Sequence, residues 1–175
     1  MPDMTFNTKP GEVVDRCLLV LCLNTGETST PAWSPVGKRV EESSMEFDWG
    51  EESKTDIFGQ TYTTMKKPVI TQTFEPCELD ADDAAQRKIW NLAIREQDVA
   101  SLSNLDMLVV HLYAGSPGAA FAERYSACAV KPSGLGGSAN VGMPLDVTFG
   151  GKRTTGTAVS QDGVITFTPE GGDTE

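Results

Sequence analysis

The chain has 175 residues, of which 39% are hydrophobic and 22% are charged, and its formal net charge is -11. This length suits one domain with a single core, and the composition excludes both a disordered chain and a membrane-like one. The strong negative charge also argues against sequence-specific DNA binding, which needs clustered Lys and Arg to neutralise phosphates.

The N-terminal segment, residues 1–16, is polar and lacks periodicity, which predicts an arm outside the folded domain. It has no apolar segment of the kind found in secretory signals, so we expect no signal peptide. The longest apolar runs, Cys17–Leu23 and Leu105–Tyr113, are far shorter than the roughly 20 residues of a membrane helix, so no membrane insertion is expected. Their length favours strands, and the first run predicts a strand buried on both faces.

Residues 24–31 are dense in turn residues and predict a loop. Residues 32–42 can form a strand that Pro35 and Gly37 interrupt. This part of the chain therefore predicts two strands joined by a surface loop.

The next segment alternates strictly between apolar and acidic residues. Met45, Phe47 and Trp49 share one face of a strand, and Glu46 and Asp48 share the other. The pattern predicts a strand with one packed face and one wet or interfacial face.

Residues 50–55 are polar and predict a turn region. Asp56–Lys66 and Pro68–Phe74 are rich in Thr, Ile, Val, Tyr and Phe, so each predicts a strand. We expect an extended hairpin or loop over residues 41–66.

Helical spacing appears once, and it predicts a helix over residues 81–96, with Asp80 or Asp82 as its N-cap. The apolar residues that define the buried stripe of this helix are Ala85, Ile89, Leu92 and Ala93.

After the helix, strand patterns return and continue almost to the end of the chain. The predicted strands are Leu105–Tyr113, Ala119–Val130, Pro144–Phe149, Arg153–Val159 and Val164–Thr168. Residues 132–142 predict a Gly-rich loop, and residues 170–175 predict an acidic C-terminal tail. The sum is a mainly β fold in residues 17–169, with two packed β-sheets, sandwich-like or barrel-like, and one flanking α-helix.

Motifs for chemistry are weak in this sequence. The cysteines Cys17, Cys22, Cys77 and Cys128 form no CxxC pair, so we expect buried, reduced thiols rather than a zinc site. The single histidine, His111, lies in a strand pattern and has no recognisable nucleophile beside it. We therefore expect no catalytic residue, no metal, no cofactor and no enzymatic activity.

Acidic residues are dense in the segment from residue 41 to residue 56, which carries more than half of the net charge of the chain. These acidic residues are Glu41, Glu42, Glu46, Asp48, Glu51, Glu52 and Asp56. The same region carries the large apolar residues Met45, Phe47, Trp49, Ile57 and Phe58. Apolar side chains interleaved with like charges fit a hairpin that another chain covers, or a surface strand that covers its own core.

The sequence resembles the major tail proteins, or tail tube proteins, of long-tailed phages and prophages. The resemblance runs from Trp33 to Gly156 and depends on the order of several short motifs. These are WxxVGxRVEE at 33–42, ExD at 46–48, DIxG at 56–59, QTFxP at 72–76, AERYxA at 122–127, GG at 136–137, PxDV at 144–147 and the segment 150–156.

This resemblance implies hexameric rings that stack into a tube, in which strands of neighbouring subunits form a continuous inner barrel. It implies that the hairpin at 41–66 and the termini contact the adjacent ring, and that the acidic residues face the surface or an acidic lumen. It also implies passage of DNA through this lumen without specific binding, and partners such as tape-measure, terminator and distal tail proteins. The location implied is the tail of a virion, after assembly in the host cytoplasm.

Two alternatives stay open at this point. Non-contractile tails, contractile tails and injection or secretion machines share the implied fold, and the residues do not choose among them. A monomeric β-barrel that binds a small ligand or a carbohydrate is an alternative from a different class.

Overall fold

The computed structural model describes residues 4–116 and 118–171, which form a mainly β fold with one helical region, so the predicted fold class is confirmed. The strands are β1 (Leu19–Asn24), β2 (Trp33–Val36), β3 (Met45–Asp48), β4 (Glu52–Thr55), β5 (Thr61–Thr64), β6 (Val69–Phe74), β7 (Leu105–Ser116), β8 (Ala119–Pro132), β9 (Leu145–Thr148), β10 (Arg153–Gln161) and β11 (Val164–Pro169). The helices are α1 (Ala84–Trp90) and α2 (Val99–Leu102), with a short 3-10 turn at Arg16–Leu18.

Antiparallel pairing closes part of the sheet into a barrel. The strand order is β10–β11–β2–β1–β7–β8, and the first half of β8 pairs back to β10. The second half of β8 pairs with β9 instead, and the order β8–β9–β6–β3 forms a second sheet. The long strand β8 therefore belongs to both layers and connects them.

Two apolar clusters fill this architecture. The smaller cluster fills the barrel and includes Cys22, Trp33, Leu108 and Val110. The larger cluster lies where the outer face of the barrel meets the second sheet and α1, and it joins side chains from all three layers. Alternate residues of β1 and β7 point into different clusters, so the prediction that β1 is buried on both faces is confirmed.

The helical region begins later than the sequence predicts. Asp83 is the N-cap of α1 and accepts a hydrogen bond from the Gln86 backbone N–H at 2.9 Å, so the predicted cap at Asp80 or Asp82 is wrong. Asp80 instead pairs with Lys38 at 2.7 Å. The stripe side chains Ala85 and Ile89 are fully buried, and α1 continues into a wider π-helical segment over Asn91–Arg95.

The segment from residue 50 to residue 66 differs from its predicted strands and turns. Glu52–Thr55, predicted as part of a turn, forms β4, and Asp56–Gln60, predicted as strand, forms the turn between β4 and β5. The aromatic and branched residues at 57 and 58 suggested a strand, but the Asp56 side chain and Gly59, at φ 79°, fix a turn there.

Part of the predicted N-terminal arm pairs with its own chain. Phe6 forms an antiparallel bridge with Ala114, and the Asn7 backbone N–H donates to the Tyr113 carbonyl at 2.9 Å. The end of β7 extends beyond its pairing with β1, which leaves backbone groups free for this segment. Residues 1–3 of the predicted arm and residues 172–175 of the predicted tail lie outside the described residues.

Three of the four cysteines are buried, as the sequence predicts, but Cys17 is exposed, so the prediction is wrong at that position. Burial raises the pKa of the Cys22 thiol to about 12 and that of the Cys128 thiol to about 11, so both are protonated and unreactive near neutral pH. No helix in the described part of the chain combines the length and the apolar character that crossing a membrane requires.

Candidate assembly surface

Strands β3 to β6 form one long hairpin, which we call the arm (residues 45–72). At its base, β3 pairs with β6 from Met45 opposite Gln72 to Asp48 opposite Val69. The Trp49 carbonyl accepts a hydrogen bond from the Lys66 backbone N–H at 2.8 Å. Beyond that bond, β4 and β5 continue the antiparallel pairing toward the tip.

The outer half of the arm is exposed along its whole length. Every residue of β4 and β5 is exposed to solvent. A two-stranded hairpin without a packed face is only marginally stable in water. Hydrogen bonds between side chains hold this one, namely Ser53 with Thr63 at 3.0 Å, Thr55 with Thr61 at 3.2 Å and an ion pair of Glu52 with Lys66 at 2.9 Å.

A tight turn presents the tip of the arm. Asp56 Oδ1 accepts hydrogen bonds from the backbone N–H groups of Phe58 and Gln60, both at 2.9 Å, and Tyr62 donates its hydroxyl to Asp56 Oδ2 at 3.1 Å. The backbone hydrogen bond from Gln60 is the main reason that the pKa of Asp56 lies below its usual value. The carboxylate therefore stays charged near neutral pH and keeps the turn closed.

The predicted apolar contact residues do not share one environment. Ile57 and Phe58 stand at the tip and are 94% and 83% exposed. Phe47 and Trp49 stack with their ring centroids 6.3 Å apart, and each is 49% exposed. Met45 is partly buried against the larger core, so it belongs mainly to the fold of its own chain.

The arm also exposes three large apolar side chains that the sequence reasoning did not select as contact residues, namely Tyr62, Met65 and Val69. They lie on the returning half of the hairpin, from Tyr62 in β5 to Val69, which is opposite Asp48 at the base. Contiguous exposed apolar surface of this kind marks interaction sites on soluble proteins.

The predicted acidic residues divide into two groups. Asp48, Glu52 and Asp56 each have a partner within the arm. Asp48 accepts a hydrogen bond from the Gly50 backbone N–H at 2.9 Å, Asp56 accepts from the backbone of the tip turn, and Glu52 pairs with Lys66. The remaining residues Glu41, Glu42, Glu46 and Glu51 are exposed. The first three line one groove together with Glu75, which the sequence reasoning missed. The backbones of Glu75 and Glu42 form an isolated antiparallel β-bridge.

The base of the arm has an open strand edge. Strand β3 is the last strand of the second sheet, and no strand in the described ranges 4–116 and 118–171 pairs with its outer side. Backbone groups along such an edge are available to a strand from another chain. Arg16 binds the Ser43 carbonyl near this edge, at 2.9 Å from its guanidinium.

The single histidine belongs to a polar network at the surface of the barrel. His111 Nδ1 lies 2.9 Å from the Tyr113 hydroxyl, and its Nε2 lies 3.1 Å from Glu123 Oε2. Glu123 also accepts a hydrogen bond from Arg153 Nε at 2.7 Å. Both imidazole nitrogens thus have partners that suit a structural histidine.

This network predicts a pH dependence of stability. Burial alone would raise the pKa of Glu123, but hydrogen bonds from His111 and Arg153 outweigh it and hold the pKa below its usual value. The pKa of Glu123 is about 4.3 in the unfolded chain and lower in the folded protein. The charged carboxylate therefore stabilises the fold above about pH 4.3, and this stabilisation is lost as the pH falls through the folded-state pKa. We expect Glu123→Gln to lower the melting temperature at pH 7, with the difference from the wild type narrowing below about pH 4. Thermal unfolding from neutral to acid pH measures this, and a constant difference would contradict it.

An apolar pocket of about 220 Å³ opens at one end of the barrel. Its walls come from β1, β2, β7, β10 and β11. Within the described part of the chain, no group of three or more His, Cys, Asp or Glu side chains is arranged to hold a metal ion.

No known protein family and no curated protein matches the chain. Among solved structures, it is similar to a chain of an extracellular contractile injection system, the PVC sheath–tube complex in the extended state. That similarity has a TM-score of 0.48 at 6% identity and covers 85% of this chain and 94% of the other. It is also similar to a chain of the anti-feeding prophage cap, the AFP tube terminating cap, with a TM-score of 0.46 at 12% identity over 87% of this chain and 96% of the other. At these levels neither similarity supports a statement about function.

Proposed function

We propose that this chain is a structural subunit that assembles with copies of itself into a tube of the phage-tail type. The observation that carries the proposal is the arm, a hairpin that exposes Phe47, Trp49, Ile57 and Phe58 together. A monomer has no use for so much exposed apolar surface on one projecting element, whereas a neighbouring subunit would remove it from water.

The open edge of β3 supports the same proposal. A strand from a neighbouring subunit would satisfy its backbone groups and extend the second sheet across the interface. Repetition of this contact around an axis closes a ring, and the proposed rings are hexameric, as in the family that the sequence resembles. The outer half of the arm, with its apolar tip, then remains for contacts between stacked rings.

The charge supports the role of a conduit. The chain carries a net charge of -11, and the groove lined by Glu41, Glu42, Glu46 and Glu75 concentrates carboxylates beside the base of the arm. A wall of this sign repels DNA phosphates, so DNA would pass along it without adhering. The tube would serve a contractile tail, a non-contractile tail or an injection apparatus, and its end partners would be other tail proteins.

The test uses the purified full chain over a concentration series at about 0.1 M salt, where the screening length is about 10 Å and limits repulsion between acidic copies. We expect rings or filaments of uniform diameter in negative-stain electron microscopy, and large species in sedimentation velocity. We also expect no retention of duplex DNA by these assemblies. A monomer at every concentration would contradict the proposal.

The apolar pocket of the barrel favours one alternative, a monomeric ligand-binding barrel. Such a protein would stay monomeric in the same series and would gain thermal stability from a small apolar ligand, because a ligand that binds only the folded state stabilises it. Sedimentation and a thermal-shift measurement therefore separate the two functions.

A further inference from the structure

The apolar pocket lies where the barrel is closed least tightly. Strands β2 and β11 form the seam of the barrel, and a single residue pair, Ile165 opposite Trp33, joins them. The side chains that make the pocket apolar are Val20, Pro35, Val110, Leu112, Ala158 and Ile165. None of the described residues that line it is charged.

The size of the pocket fits an aromatic side chain. An engineered apolar cavity of about 150 Å³ is large enough to bind benzene. The pocket here has a volume of about 220 Å³, so a phenyl ring fits with room for part of a second side chain.

The tip of the arm has the complementary chemistry. Ile57 and Phe58 are adjacent, apolar and almost fully exposed, and the Asp56 turn holds their backbone in place. They do not fill the pocket of their own chain, because no residue of β3 to β6 lines it. The chain thus carries an apolar projection and an apolar cavity on different elements.

A second cavity is a poorer match for the tip. A groove of about 800 Å³ between β1, β2 and the start of α1 is lined by the acidic residues Asp15, Glu41, Asp82 and Asp83 and by the basic residues Arg16 and Lys38. Its acidic residues outnumber its basic ones, and the turn that presents the tip contains Asp56, so like charges would oppose entry into that groove. The pocket of the barrel imposes no such repulsion from its walls.

We propose that the Ile57–Phe58 tip of one copy occupies the apolar pocket of a neighbouring copy. This inference rests on the proposed function and names the partner surface of the arm. The contact is heterologous, because each copy gives a tip and receives a tip on a different surface. Contacts of this kind propagate from copy to copy and produce rings or filaments rather than a closed dimer.

The experiment cross-links the two surfaces between copies. The exposed thiol is first removed by Cys17→Ser, since the other cysteines are buried. One variant then carries Gln60→Cys, next to the tip, and a second variant of different mass carries Ser160→Cys, at the rim of the pocket. The two are mixed under assembly conditions and treated with a short bis-maleimide. Ser103→Cys, which is exposed at the end of α2 and outside the pocket, replaces Ser160→Cys as the matched control.

We expect the Gln60→Cys and Ser160→Cys pair to give at least about tenfold more mixed dimer than the control pair, the ratio that a preference of about 1.4 kcal/mol produces. Adding Phe58→Ser to the Gln60→Cys variant should remove this product. Assemblies that form with equal cross-linking of both pairs would overturn the inference and leave the proposed function standing. If both the mixture and the wild-type protein stay monomeric, the inference and the proposed function are both overturned.

Discussion

Replacing Ile57 and Phe58 together by serine is expected to raise the concentration needed for assembly at least about 100-fold, with no loss of the folded subunit. Burying one such side chain contributes about 1.5–3 kcal/mol, so the pair supplies about 3–6 kcal/mol, and about 1.4 kcal/mol is a factor of ten. The turn itself survives, because Asp56 bonds to the backbone of Phe58 and Gln60 rather than to the replaced side chains. Sedimentation velocity over a concentration series measures the shift.

The matched control is Val99→Ser, which removes an exposed apolar side chain from α2, outside the arm. Exposed substitutions away from special features change stability by less than about 0.5 kcal/mol, so this variant should assemble and unfold as the wild type does. Assembly of the serine double variant at the wild-type concentration would show that the tip makes no contact between copies. An equal loss in both variants would show that apolar exposure alone, rather than the arm, drives association.

Phe47 and Trp49 make a less selective test than the tip. The alternation of residues 45–49 left two interpretations, a strand covering its own core and a strand covered by another chain. The structure supports elements of both, because Phe47 pairs across the strands with the buried Ile70 yet keeps half of its surface exposed. A charged substitution there would disturb the base of the arm as well as any interface, so its effect on assembly would mix two causes.

The sequence predicts a strand at the tip, where the structure has a turn, although the sequence also contains a signal for that turn. Ile57 and Phe58 favour strands by propensity, and that preference outweighed the turn residues on either side of them. An Asp followed three residues later by Gly is a turn signal, since Asp accepts from nearby backbone N–H groups and Gly adopts positive φ. Two large apolar residues inside such a turn make no contribution to the turn itself, which is consistent with the contact between copies that we propose for them.

The barrel was less accessible from the sequence than the individual strands. Alternation and β-branched residues located most strands, because those signals are local. The pairing of β8 with β10 is non-local and occupies only the first half of β8, while the second half turns to β9. The sequence predicts a sandwich-like or barrel-like fold, but no periodicity in Ala119–Pro132 marks that change of partner. The way the barrel closes, its pocket and its seam therefore could not be predicted.

Two phenylalanines of opposite burial, Phe74 and Phe58, should separate folding from assembly. Phe74, at the end of β6, is 2% exposed in the larger core, and its ring lies within 3.5 Å of the position that a Cβ on Gly37 would take. Phe74→Ala is expected to cost about 3–5 kcal/mol, because it removes buried apolar surface and leaves a cavity. For a domain of this size, each kcal/mol lowers the melting temperature by about 2–4 °C.

Phe58→Ala removes the same atoms from the tip and should change the stability of the monomer by less than about 0.5 kcal/mol, since Phe58 is 83% exposed. Denaturant unfolding at concentrations below assembly measures both variants, which keeps association from adding to apparent stability. Phe74→Leu, which preserves most of the volume, should recover much of the loss. A comparable loss in Phe58→Ala would place the tip in the core of its own subunit, and the arm would then have no apolar end to offer a neighbour.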